Sequence, residues 1–366
     1  MKFTTFVALA AGIAESVYAT PVPGHGGHGG PGGGPRSTCR KPVKRRAWHT
    51  LSNAHKKAYL DAEVCVMSTN ATLPLPGVRT KYDELVSIHQ LHALTIHSTG
   101  VFLPWHRWYL HLHELLLKNC GWTHGTPYWD EILESNLTSI ADSAIFAGNS
   151  YGFGTGAPCV TGGPFVGQVS AIGPYWNITD ACIGRSHAFP NPLKSNLGFF
   201  PTIPDIPTEL ARCKTLTNFV DFATCLYFAP HVSGHIAMGS TRGDSHVSPS
   251  DPLFWLHHSY VDKVWWEWQN VSPATRTYAI GGNNKQDPAI GFLELPGTAA
   301  DEAINFFQST PNAAQLALIP AGDEGDNGGT VVTLNHTLTS FGQIPDAKVE
   351  DVMDATGGFL CFEYIL

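Results

Sequence analysis

Residues 251–270 read DPLFWLHHSYVDKVWWEWQN, and this stretch decides the fold. The initial Asp-Pro pair is typical of the start of a helix, and the apolar residues that follow recur at helical spacing. Asp262 follows His258 by four residues and therefore shares its helix face. A carboxylate so placed can accept the second ring N–H of a metal-binding histidine. The stretch predicts a core helix in which His258, rather than His257, binds a metal.

A second pair of histidines lies upstream, in the segment HVSGH. His231 and His235 are at positions i and i+4 of a helix that the sequence predicts over 219–237, so both imidazoles leave the same face. Two imidazoles at this spacing can bind one cation. Val232 stands where HExxH zinc proteases carry their catalytic glutamate, so the segment does not indicate such a protease. Together with His258, the pair predicts a three-histidine metal site.

Three more histidines form a comparable set nearer the N-terminus. His89 lies in a helix predicted over 82–92, and His106 lies in a helix predicted over 104–121. His97 falls in the turn between these helices, which can fold back over the start of the second helix. The sequence therefore predicts two sets of three histidines on separate pairs of helices.

The donor atoms of the two sets indicate the metal. All six candidates are neutral nitrogen donors without cysteine or carboxylate, which suits copper or zinc and argues against a carboxylate-bridged di-iron site. Three histidines per ion leave one coordination position open, as a reactive site requires. Two such ions facing each other could bind dioxygen between them.

The segments that carry these histidines resemble a known family. FLPWHRWYL followed by Glu114, and DPLFWLHHSYVDKVWWEWQ, are similar to the two copper-binding segments of the tyrosinase, catechol oxidase and hemocyanin superfamily, over about residues 39–269. The resemblance implies a mainly α fold whose four-helix-bundle core holds a dicopper site, surrounded by long loops with little β structure. It implies two copper ions as cofactors, O2 as co-substrate and a small phenolic or catecholic substrate. Matched by position, the first copper would be bound by His89, His97 and His106, and the second by His231, His235 and His258.

The resemblance also implies roles for residues around the metals. Phe254 matches a phenylalanine that packs over the site, and Glu114 and Asp262 match carboxylates that lie behind the ligands. His257 is expected to form a wall of the substrate pocket beside the copper. Thr95 stands where many fungal relatives have a cysteine that is cross-linked to a ligand, so no thioether is expected.

Other histidines compete for these roles. His92 lies three residues after His89, and helical spacing alone does not separate the two. His89 is preferred because it ends the stretch YDELVSIH, which matches the family. His111 and His113 are not at i+4 from His106 and are expected to be structural.

Val232 distinguishes this chain from many tyrosinases. Many tyrosinases have an asparagine at this position. With an upstream glutamate, that asparagine holds a water that can deprotonate a monophenol. Valine offers no hydrogen bond, and the stretch FVDFATCLYFAP before His231 contains only Asp221 as an acid. A phenol has a pKa of about 10 and needs help to lose its proton. We therefore predict oxidation of o-diphenols (catechols) to o-quinones with reduction of O2 to water, and weak or restricted monophenol hydroxylation.

Four other functions stay open at this point. The chain could be a tyrosinase with full monophenol monooxygenase activity, or a tailoring oxidase that acts on phenols or o-aminophenols in secondary metabolism. An oxygen carrier of the hemocyanin type is less favoured, because such proteins block substrate access with additional domains. A zinc hydrolase is the least favoured, because no glutamate or aspartate base accompanies either histidine set.

Composition and termini indicate the location, the domains and the partners of the protein, which is expected to be secreted. The 366 residues carry a net charge of -8, so nucleic acid is not an expected partner. Residues 1–19 read as a signal peptide, and residues 20–38 form a glycine-rich tail. Residues 39–366 are expected to form a single dicopper oxidase domain without a C-terminal shielding domain, because the end GGFLCFEYIL resembles the close of the catalytic domain. No later stretch is long and apolar enough to span a membrane.

Three remaining patterns bear on the fold and on export. The eight cysteines predict disulfides, and sequons at Asn70, Asn136, Asn177 and Asn335 predict a glycoprotein. The glycine, proline and asparagine content of residues 135–208 predicts a long surface excursion without regular structure. A first helix is predicted over 48–67, and the sequence does not indicate the oligomeric state.

Overall fold

The computed structural model describes residues 39–187, 190–195, 203, 205–240, 245–286 and 311–365. The predicted signal peptide and glycine-rich tail lie outside the described residues. The helices are α1 Asn53–Ser68, α2 Lys81–Ile96, α3 Phe102–Asn119, α4 Glu131–Glu134, α5 Ile206–Thr215, α6 Phe219–Leu226, α7 Val232–Met238, α8 Leu253–Val271, α9 Pro273–Arg276, α10 Ala313–Leu316 and α11 Val349–Val352. The strands are β1 Val43–Arg45, β2 Val169–Ile172, β3 Ile178–Cys182, β4 Thr337–Leu338, β5 Ala347–Lys348 and β6 Phe362–Tyr364. The prediction of a mainly α fold with little β structure is confirmed.

The strands form three separate pairs. β2 pairs with β3 and β4 with β5 in antiparallel fashion, whereas β1 and β6 run parallel and bring the two ends of the described chain together. A disulfide between Cys39 and Cys361 reinforces that closure. All eight cysteines are paired, the other bonds being Cys65–Cys120, Cys159–Cys182 and Cys213–Cys225. The predicted disulfides are confirmed, and each one restricts the unfolded chain.

Four helices, α2, α3, α7 and α8, make up the part of the core that bears histidines. α3 packs against α2 and α8, and α7 packs against α8. α2 begins with a capping box, in which Thr80 Oγ1 accepts from Asp83 N (3.0 Å) and Asp83 Oδ2 accepts from Thr80 N (3.1 Å). Nearly every residue of α2 is buried, so the helix has no polar face. Its end therefore cannot be read from an amphipathic pattern in the sequence. The predicted end at residue 92 was therefore too early, and the helix runs to Ile96.

The single helix predicted over 219–237 is interrupted. α6 and α7 are joined by a π-helical turn, Tyr227–His231, which contains Pro230. Proline has no N–H to donate to the carbonyl four residues earlier, so a regular α-helix does not continue through it. π-Helical turns are frequent at functional sites. His231 is the last residue of this turn.

The region 135–208 has regular structure, contrary to the prediction. β2 and β3 form a hairpin within it, and α5 begins in its last part. Four of its aromatic side chains are buried in the main core: Phe146, Phe153, Phe165 and Trp176. Glycine and proline indicate turns correctly, but their density hid these widely spaced aromatic residues, whose burial holds the segment against the helices.

A buried ion pair also holds this region to the start of α8. Arg185 donates from Nε and Nη2 to the two carboxylate oxygens of Asp251, at 2.8 and 2.5 Å. Asp251 also accepts from the backbone N of Leu253, the first residue of α8, at 2.9 Å. Because both charged side chains are buried, each depends on the other for compensation.

Replacing Arg185 by methionine is expected to lower the free energy of unfolding by about 3 kcal/mol, because Asp251 would stay buried without its charged partner. Chemical denaturation followed by tryptophan fluorescence measures the change. Arg79→Met is the matched control, since the ion pair of Arg79 with Asp180 has side chains that are 52% and 60% exposed. Its loss is expected to cost less than about 1 kcal/mol. Equal losses in the two variants would contradict the role of burial.

Among the described residues, no helix combines the length and the apolar character needed to cross a bilayer.

Candidate metal centre

The first three predicted ligands come together where α2 meets α3. His89 lies in α2, His97 directly follows α2, and His106 lies near the start of α3. One ring nitrogen of each lies within 4.8 Å of a ring nitrogen of the other two. All three side chains are buried. The structure thus brings together the first histidine set, and His92 is not part of it.

A backbone carbonyl orients each ring of this first cluster. The Nδ1 atoms of His89, His97 and His106 donate to the carbonyl oxygens of His246, Ala93 and Phe102, at 2.8, 2.9 and 2.8 Å respectively. A carbonyl oxygen can only accept, so Nδ1 carries the proton and Nε2 presents a lone pair. Within the described part of the chain, Nε2 of His89 and Nε2 of His106 are buried without a hydrogen-bond partner. Such nitrogens fit a metal ion.

The second three predicted ligands converge where α7 meets α8. His231 ends the π-helical turn, His235 lies in α7 and His258 lies in α8. The Nε2 atoms of His231 and His235 are 3.0 Å apart, and those of His235 and His258 are 3.3 Å apart. His231 Nδ1 donates to the carbonyl oxygen of Tyr227 at 3.2 Å. The lone pair of His231 Nε2 is therefore available to a metal ion. Three nitrogens at these distances can hold one cation.

The two clusters face each other. The rings of His106 and His258 stack with centroids 4.3 Å apart and an interplanar angle of 9°. Phe254 is fully buried, and its ring centroid lies 4.1 Å from that of His258 and 5.4 Å from that of His89. Phe254 therefore contacts both clusters.

Burial keeps the candidate ligands neutral. Desolvation lowers the pKa of His97 to about 3. It also holds the pKa of the other five imidazoles well below the ordinary value, and neighbouring imidazoles act in the same direction. Metal binding requires the unprotonated nitrogen. At neutral pH the two clusters are therefore in the form that binds a cation.

A fourth histidine, His257, joins the second cluster. One of its ring nitrogens lies within 4.8 Å of those of the other three. Its Nδ1 donates to Oε1 of Glu131 in α4, 2.5 Å away. Burial raises the pKa of the Glu131 carboxyl, and the contact with His257 opposes this rise. Glu131 was not predicted, because no local pattern links it to a histidine 126 residues later.

The predicted hydrogen bond between Asp262 and His258 is absent from the part of the chain that the structure describes, so that prediction was wrong. The Asp262 carboxylate accepts hydrogen bonds from Arg107 Nε at 2.6 Å, Arg45 Nη1 at 3.0 Å and the Tyr364 hydroxyl at 2.6 Å. In the described ranges, His258 Nδ1 has no hydrogen-bond partner. Asp262 shares a helix face with His258, but the two charged guanidinium donors offer stronger hydrogen bonds than a neutral imidazole does.

Glu114 belongs to the same group of buried charges. Its Oε1 accepts from Arg45 Nε at 2.9 Å and from the backbone N of Thr126 at 2.8 Å. Glu114 and Asp262 thus form a buried network with Arg45 and Arg107, in which two positive charges meet two negative ones. This network joins β1, α3, α8 and β6, and it supports the fold beneath the histidine clusters.

The neighbouring histidines are held by other contacts. His113 Nε2 bonds to Glu63 Oε2 at 3.1 Å, and both side chains are fully buried. His111 packs against the ring of Phe359. His92 packs against Phe341, and burial lowers the pKa of His92 to about 3. None of the three belongs to either histidine cluster.

Val232 lies beside the second cluster, between His231 and the rest of α7. Its side chain is half-buried and packs against Ile206 at the start of α5. Ile203 and Phe228 pack against the same residue. These four side chains form an apolar patch, and none of them offers a hydrogen bond to a water or to a phenolic hydroxyl.

Residues 79–271 match the family model described as the common central domain of tyrosinase. The matched range contains both histidine clusters, together with Phe254, Val232 and Glu131.

Relatives from fungi extend the similarity beyond this range. The tyrosinase-like protein phomQ1 of Diaporthe leptostromiformis is 28% identical over 365 residues, covering 92% of this chain and 81% of its own. Tyrosinase P of Aspergillus terreus is 29% identical over 296 residues, covering 68% and 82%. N-acetyl-6-hydroxytryptophan oxidase ivoB of Emericella nidulans is 26% identical over 370 residues, covering 87% and 91%.

A solved structure shares the fold. A polyphenol oxidase variant from Thermothelomyces thermophila aligns with a TM-score of 0.67 at 24% identity, covering 91% of each chain. The family model itself spans more than half of the 366 residues and includes every histidine of the two clusters. The chain belongs to the tyrosinase family of copper oxidoreductases.

Proposed function

We propose that this chain oxidises o-diphenols to o-quinones, with O2 as the oxidant. The observation that carries the proposal is the pair of facing three-histidine clusters, with an apolar residue, Val232, directly after His231 of the second. Each catechol gives up two electrons and two protons. The oxidation of two catechols therefore supplies the four electrons and four protons that reduce one O2 to two waters. In this proposal one copper is held by His89, His97 and His106, and the other by His231, His235 and His258.

The donor atoms of the two clusters fit copper, and hydrogen bonds to the backbone orient them. The donors are neutral imidazoles, and four of them are oriented by Nδ1 bonds to backbone carbonyls. When bound, copper supplies one-electron redox chemistry and the place where O2 binds. The residues around the clusters exclude water, because Phe254 and most of the histidines are buried.

Val232 supports diphenols over monophenols as substrates. A monophenol must lose a proton from a hydroxyl with a pKa of about 10 before it can bind a metal. A polar side chain at position 232 could hold a water as the base, whereas valine and its apolar neighbours Ile206 and Phe228 offer no such group. A catechol has a lower first pKa and undergoes electron transfer without ring hydroxylation.

Val232→Asn is expected to raise monophenol hydroxylation, relative to diphenol oxidation, by about 10²-fold, the lower end of the effect of one positioned base. The measurement is the ratio of initial rates with tyrosine and with 4-methylcatechol. Val220→Asn is the matched control, because Val220 lies on α6 and is 38% exposed. If neither variant changes the ratio, substrate preference is set by other residues around the pocket and the argument from Val232 fails.

Metal analysis together with oxygen uptake tests the proposal as a whole. The expected result is two copper ions per chain, rapid uptake with catechol and slow uptake with tyrosine. Fast turnover of tyrosine without a lag would overturn the diphenol preference. Zinc in place of copper, or reversible O2 binding without turnover of any diphenol, would overturn the oxidase proposal itself.

A second candidate is a tailoring oxidase that acts on a phenol or o-aminophenol intermediate of secondary metabolism. Its support is the similarity to ivoB, whose name describes the oxidation of N-acetyl-6-hydroxytryptophan. The same two clusters would serve this reaction. Oxygen uptake with catechol, o-aminophenol and N-acetyl-6-hydroxytryptophan distinguishes the candidates, because a tailoring oxidase prefers one of the last two by its kcat/KM.

We also propose that the protein is secreted and glycosylated. The four disulfides are typical of an oxidising compartment. The sequon asparagines Asn70, Asn136, Asn177 and Asn335 are all exposed, as N-glycosylation requires. N-terminal sequencing and glycosidase treatment of protein from culture medium test both points.

A further inference from the structure

The second cluster contains one more histidine than a reactive copper site requires. Nitrogens of His231, His235, His257 and His258 all lie within 4.8 Å of one another. A metal bound by three protein ligands keeps one coordination position open for an exogenous ligand, whereas four protein ligands produce a closed, structural site. Something in the fold must therefore prevent the fourth imidazole from binding the metal.

His257 is well placed to compete for the metal. Its ring centroid lies 4.4 Å from that of His235 and 5.4 Å from that of His231. Its Nε2 is buried and, within the described residues, has no hydrogen-bond partner. An unpartnered buried nitrogen gains free energy when it finds a cation.

Glu131 holds the opposite side of the His257 ring. The 2.5 Å bond from His257 Nδ1 to Glu131 Oε1 is buried, the two side chains being 0% and 4% exposed. A hydrogen bond to a carboxylate is stronger than one between neutral groups, and low solvent access strengthens it further. This bond fixes the ring in its observed orientation.

Gly234 makes room for that orientation. A Cβ at this position would overlap Nδ1 and Cε1 of His257 and would lie 2.9 Å from Glu131 Oε1. Gly234 lies in α7, immediately before His235. The absent side chain therefore lets the imidazole and the carboxylate meet directly against the helix backbone.

We propose that Glu131 and Gly234 keep His257 from binding the second copper, and thereby preserve the open coordination position of that site. Glu131 is a positioning residue, because it acts through His257 and does not touch the metal. The inference rests on the proposed function, since it needs copper at the second cluster. It explains how two adjacent histidines, His257 and His258, can have different roles although the predicted bond of His258 to Asp262 is absent.

Azide binding to the copper-loaded, full-length protein tests the inference without relying on turnover, because azide occupies open positions on Cu(II). In Glu131→Leu, His257 is expected to bind the second copper. The copper content should stay at two ions per chain, while azide binds about tenfold more weakly or worse, measured by absorbance titration. The double variant Glu131→Leu, His257→Leu should recover azide affinity to within about threefold of wild type, because it removes the competing imidazole and leaves no buried polar group without a partner.

Two control sets separate this role from a general structural one. His257→Gln keeps a donor for Glu131, and it should retain two copper ions and wild-type azide affinity; loss of copper would show that His257 is itself a ligand and would overturn the proposal. Glu63→Leu, alone and with His113→Leu, is the matched control, since Glu63 and His113 form a buried pair outside both clusters. These variants should lose stability without any change in azide affinity.

The remaining outcomes also decide the matter. Unchanged azide affinity in Glu131→Leu contradicts the proposal, and so does a loss that the added His257→Leu does not reverse. If Glu131→Leu does not fold, Glu131→Gln, which keeps an acceptor for Nδ1, should show a smaller but reproducible loss of azide affinity. Absence of copper from the wild-type protein would instead refute the proposed function, and the metal analysis detects that before any azide is added.

Discussion

Replacing His235 by alanine is expected to abolish o-diphenol oxidation, lowering kcat/KM on the order of 10⁴-fold. His235 is the central donor of the second cluster, with its Nε2 3.0 Å from that of His231 and 3.3 Å from that of His258. Without it, the two remaining proposed ligands are too few to hold an ion in a three-donor site. Oxygen uptake with 4-methylcatechol and copper content, measured on the same sample, test this expectation.

The copper content should fall from two ions per chain toward one in His235→Ala. His111→Ala is the matched control, because His111 packs against Phe359 and belongs to neither cluster. That variant should keep both copper ions and its activity to within about twofold. A fully active His235→Ala with both coppers would refute the assignment of the second cluster, whereas equal losses in the two variants would indicate a general effect of histidine replacement.

Replacing Asp262 by alanine is expected to lower the free energy of unfolding by about 5 kcal/mol. The carboxylate accepts three hydrogen bonds, two of them from the buried guanidinium groups of Arg45 and Arg107. Without Asp262, Arg45 would keep Glu114, whereas Arg107 would keep no carboxylate of this network. A buried charge that loses its partner keeps its desolvation cost and loses its compensation.

Thermal unfolding should show a fall in Tm of roughly 10 °C for Asp262→Ala. Asp61→Ala is the matched control, because its ion pair with Lys57 is exposed, and its loss should cost less than about 1 kcal/mol. Asp262→Asn keeps part of the hydrogen bonding and should give a smaller loss, which allows a measurement if the alanine variant does not fold. The copper content of Asp262→Asn should equal that of wild type, because Asp262 bonds to arginines and not to His258. A loss of copper at unchanged stability would contradict this assignment of Asp262.

The helices and the histidine spacing could be predicted because both depend on neighbours along the chain. The i, i+4 relation of His231 and His235 puts both rings on one side, and it holds even though a π-helical turn ends at His231. The end of α2 and the hairpin within residues 135–208 were harder to predict, since burial on all sides removes the periodic signal and glycine-rich segments mask isolated aromatic residues.

The hydrogen-bond partners of the carboxylates could not be predicted from spacing along the chain. Asp262 has the same spacing from His258 that His231 has from His235, yet it binds Arg45, 217 residues away in the chain. Glu131 meets a histidine 126 residues away, and no motif announces that contact. Such pairs depend on which buried donors the packed helices bring within about 3 Å, and a charged donor is preferred over a neutral one wherever both are in reach.

Local backbone geometry therefore determined much of the class of the protein from its sequence: helical spacing put His231 and His235 on one helix face, the donor types indicated copper or zinc, and the resemblance to a known family implied copper and the full set of six ligands. The contacts around those imidazoles depended on the packing of distant segments. Packing brought the two clusters face to face, assigned Glu114 and Asp262 to arginines, and set Glu131 against His257. The reason is physical, because the direction of a side chain follows from its own helix, whereas its hydrogen-bond partner follows from distances between elements that only the folded chain establishes.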